Sequence, residues 1–337
     1  MKTLVTGSTG LVGSALVEQL LARGHEVRAM ARKTSDLSHL KTTKAEIVFG
    51  DVTDYSTLPP IVKGIDVVFH AAAKVTPGWG AWKEFEEITV QGTQNMLKAS
   101  AEAGVKRFLQ VSSHMVYGDA CQKGDVPADE STPLEATKTP NTYYDYSKML
   151  AEKACWEYHQ QGRIPVSMIR IVSAYGPRDR LLADRVYKQT SFPVLFWPGD
   201  ANPRYAITYV RDIAELAILA ATSDIAKGQV YNVAGPEPVR LKEFAEAMIR
   251  ARGEKKLHAN MPYAVAWVWC WIMESVARLM RARKMPYLTL ASLRSIHREG
   301  YADGSKARDE LGWAPKVSID EGTRLYVEWL RSQKKGR

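Results

Sequence analysis

LVTGSTGLVG, residues 4–13, sets Gly7, Gly10 and Gly13 between an apolar strand end and the first turn of a helix. A helix N-terminus carries unpaired N–H groups and a partial positive charge, which together suit a pyrophosphate. Gly7 fits a tight turn, Gly10 leaves room for a phosphate, and Gly13 lets helix and strand approach closely. The GxxGxxG spacing is one residue wider at the front than the usual dinucleotide fingerprint. The stretch predicts a dinucleotide-binding turn, and with it a parallel α/β sheet.

Working outward, apolar runs alternate with amphipathic segments. TLVTG, EVRAMAR, AEIVFGD, DVVFHAAA, RFLQVSS and VSMIRIVSAYG read as strands. SALVEQLLARG, TVQGTQNMLKASAEAG and DYSKMLAEKACWEYHQQG read as the helices between them. Strand–helix alternation of these lengths fits right-handed βαβ units, hence a Rossmann doubly wound parallel sheet with a smaller, mixed C-terminal substrate domain. We place the dinucleotide-binding domain at 1–175 and the substrate domain at 176–337, with segments near 205–235 returning to the first.

Composition excludes other classes. The 337 residues hold three scattered cysteines, Cys121, Cys155 and Cys270, which argues against a disulfide framework or a zinc site and suits a reducing cytoplasm. No metal-ligand spacing and no signal-peptide pattern is visible. The net charge of +9 is spread along the chain, apart from Arg278, Arg281, Arg283 and Lys284 and the tail Lys334-Lys335-Gly336-Arg337. No nucleic-acid module accompanies it, so we expect no nucleic-acid partner.

An NAD site usually ends its second strand on an acid that binds the ribose hydroxyls. Here that strand ends Met30-Ala31-Arg32-Lys33. Arg32 and Lys33 offer positive charge where a 2′-phosphate would sit, which predicts NADP(H) in preference to NAD(H). Farther on, Tyr144 and Lys148 stand four apart on a predicted helix, on one face. The ammonium is expected to favour the ionised phenol, letting Tyr144 move a proton to or from a reacting oxygen. Ser112 or Ser113, ending the fifth strand, can bond that oxygen.

In this order, TGSTGLVG, GDVTD, HAAA, VQGT, SSHMVYG, YDYSK, RIVSAYGPRD and YNVAG resemble the extended short-chain dehydrogenase/reductases of the NAD-dependent epimerase/dehydratase superfamily. The resemblance spans essentially the whole chain. It implies that Gly7, Thr9, Gly10, Leu11 and Val12 hold the pyrophosphate and that Asp51 and Val52 flank the adenine. Ala71, Ala72 and Ala73 would line the nicotinamide ribose, and backbone from Ile171 to Ser173 would meet the carboxamide. Ser113, Tyr144 and Lys148 would be catalytic, with Lys148 also bonding the ribose. Helices at 89–103 and 145–161 would pair across a homodimer. The chain departs from the family's usual Asn at Thr89, where a shorter side chain weakens the expected pinning of neighbouring strands, and from its frequent Arg-Pro at Arg170-Ile171.

The family's dehydratases and decarboxylases usually carry an acid just after the catalytic Ser or Thr, where this chain has His114 and Met115. Those activities are disfavoured, and His114 is expected to pack or shape the substrate site. AKVTPGWGAWKEFEEITVQGTQNML, MPYAVAWVWCWIMESVARLMRARKMP and GYADGSKARDELGWAPKVSIDEGTRLYVEWL resemble the 3β-hydroxysteroid dehydrogenase-like branch, which implies a ketone/secondary-alcohol oxidoreductase acting on a hydrophobic, sterol-like or β-keto acid-like substrate. The alternative is a sugar-nucleotide epimerase with tightly bound NAD. Residues 261–273 carry no charge and contain Trp267, Trp269 and Trp271, too short a run to span a bilayer. Three placements stay open for that helix: buried in the smaller domain, walling a lipid-like pocket, or lying on a membrane surface through 261–284.

Overall fold

The computed structural model describes residues 1–76, 78–122, 127–199, 204–234, 237–280, 282, 289–290, 293 and 301–335. Gly235, Arg281, Arg283, Lys284, Gly336 and Arg337 of the sequence reading lie outside these residues. Seven strands build the central sheet: β1 (Lys2–Thr6), β2 (Glu26–Ala31), β3 (Glu46–Phe49), β4 (Val67–His70), β5 (Arg107–Ser113), β6 (Val166–Ile171) and β7 (Gln229–Val233). They are ordered β7-β6-β5-β4-β1-β2-β3, every pair parallel. The winding reverses between β1 and β4, and ligands of such sheets lie in the crevice beyond the strand carboxyl ends there.

Strand side chains alternate between two cores. Val5, Leu109 and Ile169 face the core shared with α1 (Leu11–Ala22), while Leu4, Phe108 and Met168 face the one shared with α2 (Gly92–Glu102) and α3 (Tyr143–Gln160). A fourth helix, α4 (Val210–Thr222), joins α1 on its face. Gly13 makes the closest approach in this layer: a Cβ there would stand 2.1 Å from the Gly7 carbonyl oxygen, so only glycine lets α1 close onto the turn.

Three elements differ from the sequence reading. The strand expected through VSMIRIVSAYG breaks at Val172, and Ser173–Tyr175 pairs with Ile207–Tyr209 outside the central sheet. Aromatic packing accounts for the break. Tyr175 is fully buried, edge-on to Tyr209 and Phe244, in a third core built with α5 (Leu241–Arg252) and α7 (Ile319–Lys335). The helix expected from residue 89 is preceded by a π-helical stretch, Glu86–Gln91, that runs into α2. Between α5 and α7 in sequence, α6 (Tyr263–Leu279) buries just Ala266, Cys270 and Glu274, so its placement as a buried helix is overturned.

Helix α3 is fixed to the sheet by a buried ion pair. Arg170 on β6 donates to both carboxylate oxygens of Glu152 on α3, at 2.7 and 3.0 Å, and the two side chains are 3% and 0% exposed. Arg170 Nη1 also donates to the Tyr117 hydroxyl at 2.9 Å, which donates to Asn232 Oδ1 on β7 at 2.8 Å. Replacing Glu152 with Ala leaves the guanidinium buried and unpaired, an expected loss of about 3–5 kcal/mol. Urea unfolding of the Glu152→Ala chain measures it; a loss under about 1 kcal/mol, the range of exposed pairs, would show that water reaches Arg170.

Candidate active site

The carboxyl ends of β1, β4, β5 and β6 open onto a cavity of about 2140 Å³. Its wall contains Gly7, Thr9, Gly10, Leu11, Val12 and Gly13 from the glycine turn, Asp51 and Val52 after β3, and Ala71, Ala72 and Ala73 after β4. Ser113, Tyr144 and Lys148 join from β5 and α3, and Ile171 and Ser173 from the end of β6. Arg32 lines the cavity with Thr34 and Ser35. Lys33, the next residue, is exposed and is not part of the wall. The chain turns directly after β2, where Ser35 N–H donates to the Arg32 carbonyl at 2.9 Å.

The turn fits a dinucleotide diphosphate. Gly7 sits at φ +63°, and a Cβ there would come within 2.8 Å of the Ala71 backbone. The N-cap of α1 is Gly10, with no side-chain cap and no acid in the first turn, so its leading N–H groups are left for an anion.

Around the reacting end, burial sets the charges. Tyr144 is pushed up to about 12 by burial, with a hydrogen bond to Ser113 drawing it down and Asp145 raising it. Lys148 is pushed down to about 8 by burial, against the pull of Glu152, and its Nζ donates to the Val111 carbonyl at 2.8 Å. One of the three ammonium donors thus goes to the strand carbonyl, and Ser113 is the hydrogen-bond partner that draws the Tyr144 phenol down. His114 is pushed down to about 4 by burial and lies 3.3 Å from the Ile171 carbonyl. A carbonyl only accepts, so Nδ1 carries the proton and the neutral ring ties the ends of β5 and β6 together.

A second histidine fixes the loop that would face the cofactor. Ala72 N–H donates to Thr6 Oγ1 at 3.2 Å, and Thr6 Oγ1 lies 2.8 Å from His70 Nδ1. His70 Nε2 lies 3.2 Å from Thr93 Oγ1, which donates to the Thr89 carbonyl at 2.6 Å. With the Thr93 proton spent on a carbonyl, Nε2 must donate and Nδ1 accept, which defines one neutral tautomer. Thr89 Oγ1 meanwhile accepts from Lys74 N–H at 3.1 Å. The threonine in the family's asparagine position thus still pins the segment after β4.

Three groups were missed by sequence reasoning. Arg178 holds φ +71° and donates to Ser14 Oγ at 2.7 Å and Glu18 Oε1 at 2.9 Å, with His39 at 3.3 Å, joining the loop after Tyr175 to α1 at the cavity wall. Burial raises Asp145, beside Tyr144, to about 7 and Asp179 to about 6; both line the cavity. The sequence signal was faint: an acid next to the candidate tyrosine, and a charged pair directly after YGP.

Comparison with known proteins accords with this geometry. The pattern of the NAD dependent epimerase/dehydratase family matches residues 3–234. The chain belongs to that family. It is 30% identical to a 3-beta-hydroxysteroid dehydrogenase of Mycolicibacterium neoaurum, over 95% of this chain and 88% of the relative. It is 29% identical to the 4-hydroxy-2-methyl-3-oxo-4-farnesyl-3,4-dihydroquinoline-1-oxide ketoreductase of Stigmatella aurantiaca, over 96% and 94%. The crystal structure of UDP-glucuronic acid 4-epimerase from Bacillus cereus, in complex with UDP-glucuronic acid and NAD, matches with a TM-score of 0.77 at 23% identity, covering 99% of this chain and 100% of that one. At that identity the likeness carries the fold alone.

The two buried histidines predict the acid limb of stability. Each is neutral when folded, with its pKa depressed, and takes a proton near 6.5 when unfolded. Stability is full above that pH and falls as pH drops toward the folded values of about 3 for His70 and about 4 for His114. Each contributes a slope of up to about 1.4 kcal/mol per pH unit in that window. Urea unfolding between neutral and mildly acidic pH measures the slope, and His70→Gln should flatten it by about one proton. An unchanged slope in that variant would place the buried proton debt elsewhere.

Proposed function

We propose that this chain is an NADP(H)-dependent oxidoreductase that interconverts a ketone and a secondary alcohol on a hydrophobic substrate. The observation that carries the proposal is the meeting of Ser113, Tyr144 and Lys148 on the wall of the same cavity as the glycine turn. Beyond that turn the cavity passes Leu182, Val186, Ile207, Leu241, Trp329 and Leu330, a surface suited to an apolar body. The dehydrogenase and ketoreductase among the relatives support the same reaction class.

A bound nicotinamide ring would supply or accept the hydride. The chain's part is to hold the substrate oxygen and move its proton. The Tyr144 phenol would pass a proton to or from the substrate oxygen as hydride moves. Ser113, bonded to that phenol, orients the same oxygen. Lys148, which donates to the Val111 carbonyl, would hold a ribose hydroxyl of the bound cofactor with its remaining N–H groups. The lack of an acid at the end of β2, where Arg32 stands in the wall, supports NADP(H), although Asp36 lines the cavity four residues on.

One observation favours a second reading. Arg180, Arg185 and Lys188 also line the cavity. They suit the carboxylate of a β-keto acid, and equally the diphosphate of a sugar nucleotide, as in an epimerase.

Nicotinamide fluorescence titration of the purified chain, followed by a panel of hydrophobic ketones, tests the proposal. Reversible NADPH binding with ketone-dependent oxidation is expected. Cofactor that copurifies and shows no net turnover, with a UDP-sugar epimerised instead, would replace the reductase with the epimerase. Tyr144→Phe should lower kcat/KM by about 10²–10⁴ and leave NADPH affinity nearly unchanged. Arg32→Ala should weaken NADPH by about tenfold or more while sparing NADH. Equal losses for both cofactors would remove Arg32 from 2′-phosphate recognition.

A further inference from the structure

Helix α6 is built inside out. Its three buried positions, Ala266, Cys270 and Glu274, are four residues apart and form one stripe of small or polar side chains facing the protein. The large apolar side chains point away: Trp267, Trp269, Trp271, Ile272, Val276 and Leu279 are all exposed, Trp269 by 60% and Leu279 by 85%. An amphipathic helix of a water-facing surface shows the reverse pattern. A contiguous apolar face of this size marks a contact with something other than water.

That something is not the substrate in the cavity, whose wall contains no residue of α6. Nor is the helix loosely attached. Glu274 accepts a hydrogen bond from Leu290 N–H, and Arg278 lies 3.6 Å from Glu274 with its guanidinium 5.2 Å over the Trp79 ring. Trp79 stands four residues after Val75, itself part of the cavity wall. Among the described residues no helix is long and apolar enough to cross a membrane.

We propose that α6 docks this protein on the surface of a lipid bilayer rich in anionic headgroups. Tryptophan is the residue that settles at the headgroup level, and three occur within five positions. Charge chooses between a bilayer and a second copy of the chain. Arg278 ends the helix, Arg281, Arg283 and Lys284 follow it in sequence, and the whole chain carries +9. A second copy would bring the same cations and the same net charge to the contact, whereas an anionic surface neutralises them. Apolar burial and headgroup attraction together supply the two signals that stable surface binding requires. The docking needs no ketone chemistry, and its test reads no activity.

The test is flotation of the full chain with vesicles of phosphatidylcholine, with and without phosphatidylglycerol. The chain should float with the anionic vesicles and less with the neutral ones, and added salt should weaken binding without abolishing it. Brominated acyl chains should quench tryptophan fluorescence in the bound wild type. Trp269→Glu combined with Ile272→Glu should cut vesicle partition by about tenfold or more. Because both side chains are exposed, thermal melting and NADPH binding of that variant should match wild type. Absence of flotation on anionic vesicles would overturn the proposal, as would flotation that the double variant leaves intact. A wild-type oligomer that the same substitutions dissolve, without vesicle binding, would also overturn it and assign the face to a second copy.

Discussion

The Arg170–Glu152 pair is the constraint on which the candidate site depends. Glu152 lies one turn beyond Lys148 and two beyond Tyr144 on α3, so the pair sets both the height and the rotation of the helix against β6. With the helix clamped, Tyr144 reaches Ser113 and Lys148 reaches the Val111 carbonyl. A buried ion pair is not by itself a large net stabiliser, since desolvation offsets much of the attraction. Its value here is geometric: a bidentate fork tolerates little sliding of helix over strand. The pair also runs on through Tyr117 to Asn232, which couples the catalytic helix to the edge strand β7.

The same burial that makes this clamp rigid governs the proton chemistry. A low-dielectric surround favours neutral forms, so the two histidines are held uncharged, the phenol keeps its proton and the lysine titrates near 8. Spacing on a helix places side chains on one face, but it does not say which partner each will choose. Lys148 stands where the sequence puts it, and its Nζ donates to a strand carbonyl that helical spacing does not reveal.

Much of the fold was legible because its signals are local. The glycines of the first turn are dictated by backbone contact, as the 2.1 Å approach at Gly13 shows, and strands buried on both faces announce themselves as apolar runs. Ser113, Tyr144 and Lys148 were legible for a related reason, each sitting at a fixed place on a strand end or helix face. What escaped was non-local. The break after Ile171 follows from aromatic packing with Phe244, more than sixty residues on, and the partners of Arg178 lie on α1.

The hydrogen-bond chain through His70 has a direction, and direction makes its two threonines inequivalent. Protons point from Ala72 through Thr6 to the ring, and onward through Thr93 to the Thr89 carbonyl. Loss of the Thr6 hydroxyl strands a donor on one side and an acceptor on the other, while the ring keeps its hold on Thr93. Loss of the Thr93 hydroxyl strands the ring's own N–H in a dry interior and leaves the Thr6 end correctly paired. The loop of alanines is thus held by an ordered relay whose sense is set at its far end, on α2, and not by the residues that touch it.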